Sequence, residues 1–112
     1  MERFGALEVA FEFAQAAGPL IKEIARHDRD LAVQLRRAAA SVASNFSEGA
    51  QRIGADRLQH YRIAAGSAAE ARVQLRLAVA WGYIDRVAAE PSVQLADRLV
   101  GLGWALTHRR RI

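Results

Sequence analysis

The chain contains no cysteine. That absence excludes disulfide frameworks, thiol nucleophiles and thiolate metal sites, and it agrees with a reducing cytoplasm. Proline is nearly absent too. Pro19 and Pro91 are the only two, so long helices meet few breaks. The longest mostly apolar stretch, around Val93 to Leu106, is interrupted by Gln94, Asp97 and Arg98. It falls short of the roughly 18 apolar residues that a membrane span needs. Met1-Glu2-Arg3-Phe4 lacks the basic-then-apolar pattern of a signal peptide. No alternating segment bounded by turn residues reads as a strand. Lysine is missing except for Lys22. A protein of the cytoplasm, with no membrane association, is the expectation.

What is present is helix-forming. The 112 residues suit one domain, 1–112, and 52% of them are hydrophobic, with Ala and Leu foremost. Ala, Leu, Arg, Gln and Glu all favour helix. Sixteen basic residues stand against twelve acidic ones, a formal charge of +4, and all the basic residues but Lys22 are arginine. Arginine pairs bidentately with phosphate, which points to an anionic partner. The same Arg and Ala bias also follows from a GC-rich coding sequence, so both readings stay open.

Four helices are predicted from apolar spacing. The first covers about Gly5 to Arg26, with Leu7, Phe11, Ala14, Gly18, Ile21 and Ile24 or Ala25 as its stripe and a kink expected at Pro19. The second covers about Leu31 to Ile53, capped by Asp30, with Leu31, Leu35, Ala38, Val42, Phe46, Gly49 and Ile53 on one side. The third covers about Arg57 to Trp81, with Asp56 as cap and Gly82 as stop. One of its sides carries Tyr61, Ala64, Ala68, Ala71, Leu75 and Ala78, and a second carries Ile63, Val73, Leu77 and Trp81. Two apolar sides predict that this helix is covered twice, once by its own bundle and once by something else. The fourth covers about Pro91 to Arg110, with Pro91 at the first helical position and Val93, Ala96, Leu99, Val100, Gly103 and Leu106 inward, and Asp85 to Glu90 as a further short turn of helix before it. Short connections between four helices imply an all-α, antiparallel up-down four-helix bundle.

Helix two carries a second, polar stripe. Arg37, Ser41, Asn45, Glu48 and Arg52 follow at three- and four-residue steps and so share a face. Ser67, Glu70 and Gln74 lie similarly on helix three. The turn near Gly54 sets Ser41 near Ser67 and Arg37 near Glu70. Such stripes either form a buried polar network that fixes helix register, with a charged Arg37–Glu70 pair, or line a ligand site. Facing polar stripes at a helix seam more often satisfy each other. The remaining face of helix two, with Val33, Arg36, Ala40, Ala43, Ser47 and Ala50, carries less charge than a solvated face would, and its small residues suit contact with a neighbouring subunit. Simple helix propensity on an exposed surface would give the same composition.

The run from Gln34 to Arg52, including Arg36-Arg37-Ala38, Ser41, Asn45 and Ser47-Glu48-Gly49, resembles the signature of the four-helix-bundle proteins related to the 23S ribosomal RNA intervening-sequence protein. The later run Ile63 to Glu70, with Gln74 and Gly82-Tyr83-Ile84, is similar to that family's second block. Ala43, Phe46 and Ser47 depart from the usual residues. The resemblance implies a four-helix bundle assembled into a homo-oligomeric ring, commonly a pentamer. Relatives of this kind include the accessory protein of diversity-generating retroelements, which partners a reverse transcriptase and its RNA.

Enzymatic motifs are missing. His27, His60 and His108 form neither an HExxH nor a Glu-x-x-His arrangement. No glycine-rich phosphate loop occurs, and Ser41 and Ser67 have no triad partners in view. No catalytic residue, cofactor or metal ligand is therefore expected. Two binding functions remain. In one, nucleic acid, above all RNA, meets Arg62, Arg72 and Arg76, which fall within about 80° on helix three, and the basic run Arg109, Arg110 and Arg111; a ring would multiply these contacts. In the other, the doubly apolar helix three and Trp104 serve a protein-interaction adaptor without nucleic-acid binding of its own.

Overall fold

A computed structural model describes residues 2–108, with side chains from residue 5 onward. It contains four helices: α1 (Glu2–Ala25), α2 (Arg29–Ala50), α3 (Gly54–Ala80) and α4 (Arg86–Thr107). Each packs on its neighbour in sequence, and α1 closes the set against α4. The resulting helical bundle measures 48 × 22 × 18 Å along its principal axes. Across the α2/α3 seam Ser41 meets Ser67 and Gly49 lies under Tyr61. Across the α3/α4 seam Ala65 meets Gly103 and Arg72 meets Asp97. Partner numbers fall along one helix as they rise along the other.

The inward stripes of α2 and α3 are the expected ones. Leu31, Leu35, Ala38, Val42, Phe46 and Gly49 are buried on α2, and Tyr61, Ala64, Ala68, Ala71, Leu75 and Ala78 on α3. Ile53 belongs to neither helix and is 82% exposed. The α1 stripe differs from expectation. Its buried residues are Ala6, Val9, Ala10, Phe13, Ala17, Leu20 and Ile24, while Phe11 is 57% exposed. Two apolar stripes about 100° apart run along this helix, and the one holding Phe13 packs inward.

The helix ends also correct several expectations. Asp28, not Asp30, caps α2, accepting from the Leu31 amide at 3.0 Å. Ile53 precedes α3 without a side-chain cap, and Asp56 lies in its first turn. Asp85, not Pro91, begins α4: its Oδ2 accepts from the Val87 and Ala88 amides at 3.0 and 3.1 Å. Pro91 stands inside α4, and Pro19 inside an unbroken α1. Each prolyl ring leaves one carbonyl a turn earlier without its intrahelical donor, at Gln15 and Val87, and both residues are exposed. Gly82 does end α3. Its φ of 77°, with Tyr83 N–H on Ala78 O at 2.8 Å and Gly82 N–H on Val79 O at 3.0 Å, makes a Schellman turn that only glycine adopts without strain.

Candidate functional site

The polar seam between α2 and α3 is a chain of side-chain hydrogen bonds. Ser41 Oγ and Ser67 Oγ lie 2.7 Å apart. Asn45 Nδ2 donates to Ser41 O at 2.9 Å and to Ser41 Oγ at 3.2 Å. Its Oδ1 is thereby left as acceptor, so His60 Nδ1, 2.9 Å away, carries the proton. His60 Nε2 then faces Asp56 Oδ1 at 4.0 Å. Asp56 also pairs with Arg52 Nη1 at 2.9 Å, and Glu48 pairs with Arg52 Nη2 at 3.0 Å. Glu48, then Asp56, raise the Arg52 pKa. These ion pairs are about half exposed, where such pairs contribute little.

The expected Arg37–Glu70 pair does not form. Both residues are exposed, and no carboxylate among the described residues lies within ion-pair distance of Arg37. The register brings the serines together, but the charges at the rim of the seam turn to water, which solvates them without the cost of burial. Gln74 is 5% exposed, and its Oε1 has no hydrogen-bond partner among the described residues. Gly49 has a steric role: a Cβ there would stand 2.6 Å from Tyr61 Cε1 and 3.3 Å from His60 Cβ.

Two participants escaped the sequence reading. His60 joins the seam because it lies one turn after Asp56, on the side facing Asn45. Arg57 closes the end of α2, donating Nε to Gly49 O at 3.0 Å and Nη2 to Ala50 O at 3.2 Å. It satisfies two carbonyls that the helix end leaves without amide partners. Its place beside the short turn was the only signal.

Arg72 and Arg76 of α3 line a groove against α4. Its volume is about 620 Å³, and Arg72, Arg76, Arg86, Val79, Val93 and Asp97 are among its lining residues. Arg72 is ion-paired with Asp97 and so offers less free charge than expected. Arg62 and Arg76 are exposed. No carboxylate among the described residues comes within 4.0 Å of Arg62, Arg76 or Arg86. Arg86 was not foreseen because α4 begins five residues before Pro91. Arg109, Arg110 and Arg111 lie outside the described residues. The second apolar side of α3 is uncovered in the single chain: Ile63 is 40%, Val73 54% and Trp81 56% exposed.

At one end of the bundle His27 stacks on Tyr83 with ring centroids 5.3 Å apart, beside a small cleft lined by Leu20, Glu23 and Asp85. Desolvation and the nearby Asp28 carboxylate raise the Tyr83 phenol above its ordinary value of 10.0. Among the described residues no three His, Asp or Glu side chains gather as a metal site, and no helix is long and apolar enough to cross a membrane.

Fold and seam together define an all-helical, four-helix protein. The chain belongs to the 23S rRNA-intervening sequence protein family, which it matches over residues 2–102. Its structure is similar to that of a protein with unknown function from the S23 ribosomal protein family of Bacteroides thetaiotaomicron. The TM-score is 0.84 at 23% identity, covering 92% of this chain and 98% of that one. No curated protein matches the sequence.

Proposed function

We propose that the protein is a non-catalytic, antiparallel up-down bundle that assembles into a cytoplasmic homo-oligomeric ring, a pentamer by preference, and binds nucleic acid, RNA foremost, through its arginine surfaces. The observation that carries this reading is the division of the outer face of α3. Toward α2 it presents Ile63, Leu77 and Trp81, with Val73 between the two edges. Toward α4 it presents Arg72 and Arg76, with Arg62 on the outer side beside Val73's line. Exposed apolar residues along one line favour burial against another chain. Along the adjacent line Arg62 and Arg76 have no carboxylate partner among the described residues, while Arg72 holds Asp97, and such free guanidinium groups favour phosphate. The family description supports an RNA setting.

Light scattering at micromolar concentration tests the assembly, and a monomer mass defeats it. Binding of labelled RNA across a salt series tests the partner. The reading requires affinity that falls linearly in log–log form with salt, and it fails if purified chain binds no nucleic acid. A protein adaptor is the second reading, favoured by the same exposed Val73 and Trp81. Capture of one protein partner that survives nuclease treatment, by a chain that binds no RNA itself, supports the adaptor.

A further inference from the structure

Arg86, Glu90, Val93, Asp97, Trp104 and His108 follow one another along α4 in steps that keep them on one side of the helix. Asp97 reaches Arg72 across the seam, so this side borders α3. On α3, Arg72 and Arg76 line the opposing edge, and Arg62 lies farther along the helix, one turn from Ala65, which meets Gly103. From Arg62 to Arg76 this edge extends about 21 Å along the axis. The groove therefore has Arg72, Arg76 and Arg86 along it and a floor of Val79, Ala89 and Val93, and the Trp104 ring stands two turns beyond Asp97 on the same side of α4.

That ring is exposed and braced. Trp104 is 61% exposed, and the His108 imidazole stacks on it with centroids 4.2 Å apart and planes 12° apart. His108 Nδ1 lies 2.9 Å from Trp104 O and 3.0 Å from Thr107 Oγ1, which holds the imidazole in place. A flat ring fixed on one side and exposed to solvent can stack a base without first being ordered. Two carboxylates line the same groove. Asp97 is taken up by Arg72, and Glu90 accepts from Gln94 Nε2 at 3.1 Å. No carboxylate among the described residues pairs with Arg62, Arg76 or Arg86.

We infer that the α3/α4 groove is a track for single-stranded nucleic acid, in which Trp104 stacks a base and Arg62, Arg76 and Arg86 hold phosphates. The inference deepens the nucleic-acid function proposed above and rests on it. Single strands are specified because a duplex keeps its base faces inside its own stack, out of reach of an indole. Paired Arg72 is a positioning residue: it fixes Asp97 and leaves the phosphates to its neighbours.

The test uses the whole chain and labelled oligo(U) of about 20 nucleotides, longer than the ~4–16 nucleotides of common single-strand sites. A self-complementary RNA duplex of equal length is the comparison. Trp104→Ala is expected to weaken oligo(U) binding about tenfold or more, with Trp104→Phe retaining most of it. The pair Arg76→Ala/Arg86→Ala is expected to lower the salt slope on oligo(U) by about 1.4, from ~0.7 per single-strand phosphate contact. Arg36→Ala/Arg37→Ala, on α2, serves as the basic-surface control and is expected to leave that slope unchanged. In Trp81→Phe, where Trp104 is the one remaining indole, added oligo(U) is expected to quench tryptophan fluorescence. This measurement stands even if Trp104→Ala fails to fold. Undiminished oligo(U) binding by folded Trp104→Ala and Arg76→Ala/Arg86→Ala overturns the groove and leaves the wider function standing. So does duplex binding at least as tight as oligo(U) binding, or the absence of quenching in Trp81→Phe. Failure of the unaltered chain to bind any nucleic acid overturns both.

Discussion

A methyl group added at Gly49 would stand 2.6 Å from Tyr61 Cε1 and 2.7 Å from Cδ1. The ring cannot yield easily, because Phe46 packs beside it at a centroid distance of 6.0 Å. Gly49→Ala should therefore destabilise the bundle by about 1–3 kcal/mol, the usual cost of overpacking, as read by denaturant unfolding. Gly101 is the useful contrast. It is helical with open space where its Cβ would be, so Gly101→Ala should stabilise by about 0.5–1 kcal/mol. Tyr83 gives a pH prediction. Its folded pKa is raised, so the native state holds the phenolic proton more tightly than the unfolded chain does. The contribution is fully present below the unfolded value of 10.0 and is lost as pH rises through the folded value. Unfolding midpoints measured from pH 8 upward should fall beyond about pH 10, and Tyr83→Phe should flatten that fall.

At the level of the element, the helices depend on caps that local chemistry supplies. Asp28 and Asp85 each accept backbone amides in the first turn. Asp28→Ala and Asp85→Ala should each cost about 1 kcal/mol, with faster amide exchange confined to the first turns of α2 and α4. These caps also show what the sequence discloses. The Gly82 stop was legible from glycine's freedom at positive φ, and the inward stripes of α2 and α3 from apolar residues recurring at steps of three and four. The inward face of α1 was not, because Phe11 and Phe13 are both aromatic and only the neighbouring helices decide which one is buried. At the start of α4, Pro91 mimics a helix beginning, so the turn expected over Asp85 to Glu90 read as separate, whereas it is continuous with α4 and capped by Asp85. At the seam, Ser41 and Ser67 followed from register alone. Arg37 and Glu70 did not meet, because side-chain reach and solvation decide the fate of rim charges.

For the whole molecule, the uncovered apolar line on α3 is the main feature. Replacing Val73 and Trp81, which are 54% and 56% exposed, by aspartate places charges where the proposed assembly would bury them. Val73→Asp/Trp81→Asp should keep its helical circular dichroism while light scattering reports a monomer. A mass equal to that of the unaltered protein would place the interface elsewhere.

The core itself has a consequence for how the protein endures heat. Of the 24 buried hydrophobic residues described, 12 are alanine. An alanine forfeits almost no rotamer freedom on burial, yet it removes less apolar surface from water than leucine. A bundle so built gives up little side-chain entropy and gains modestly from each helix contact. In the proposed ring, association adds what this sparse core does not. Folding is then coupled to mass action, and the melting temperature should rise with protein concentration.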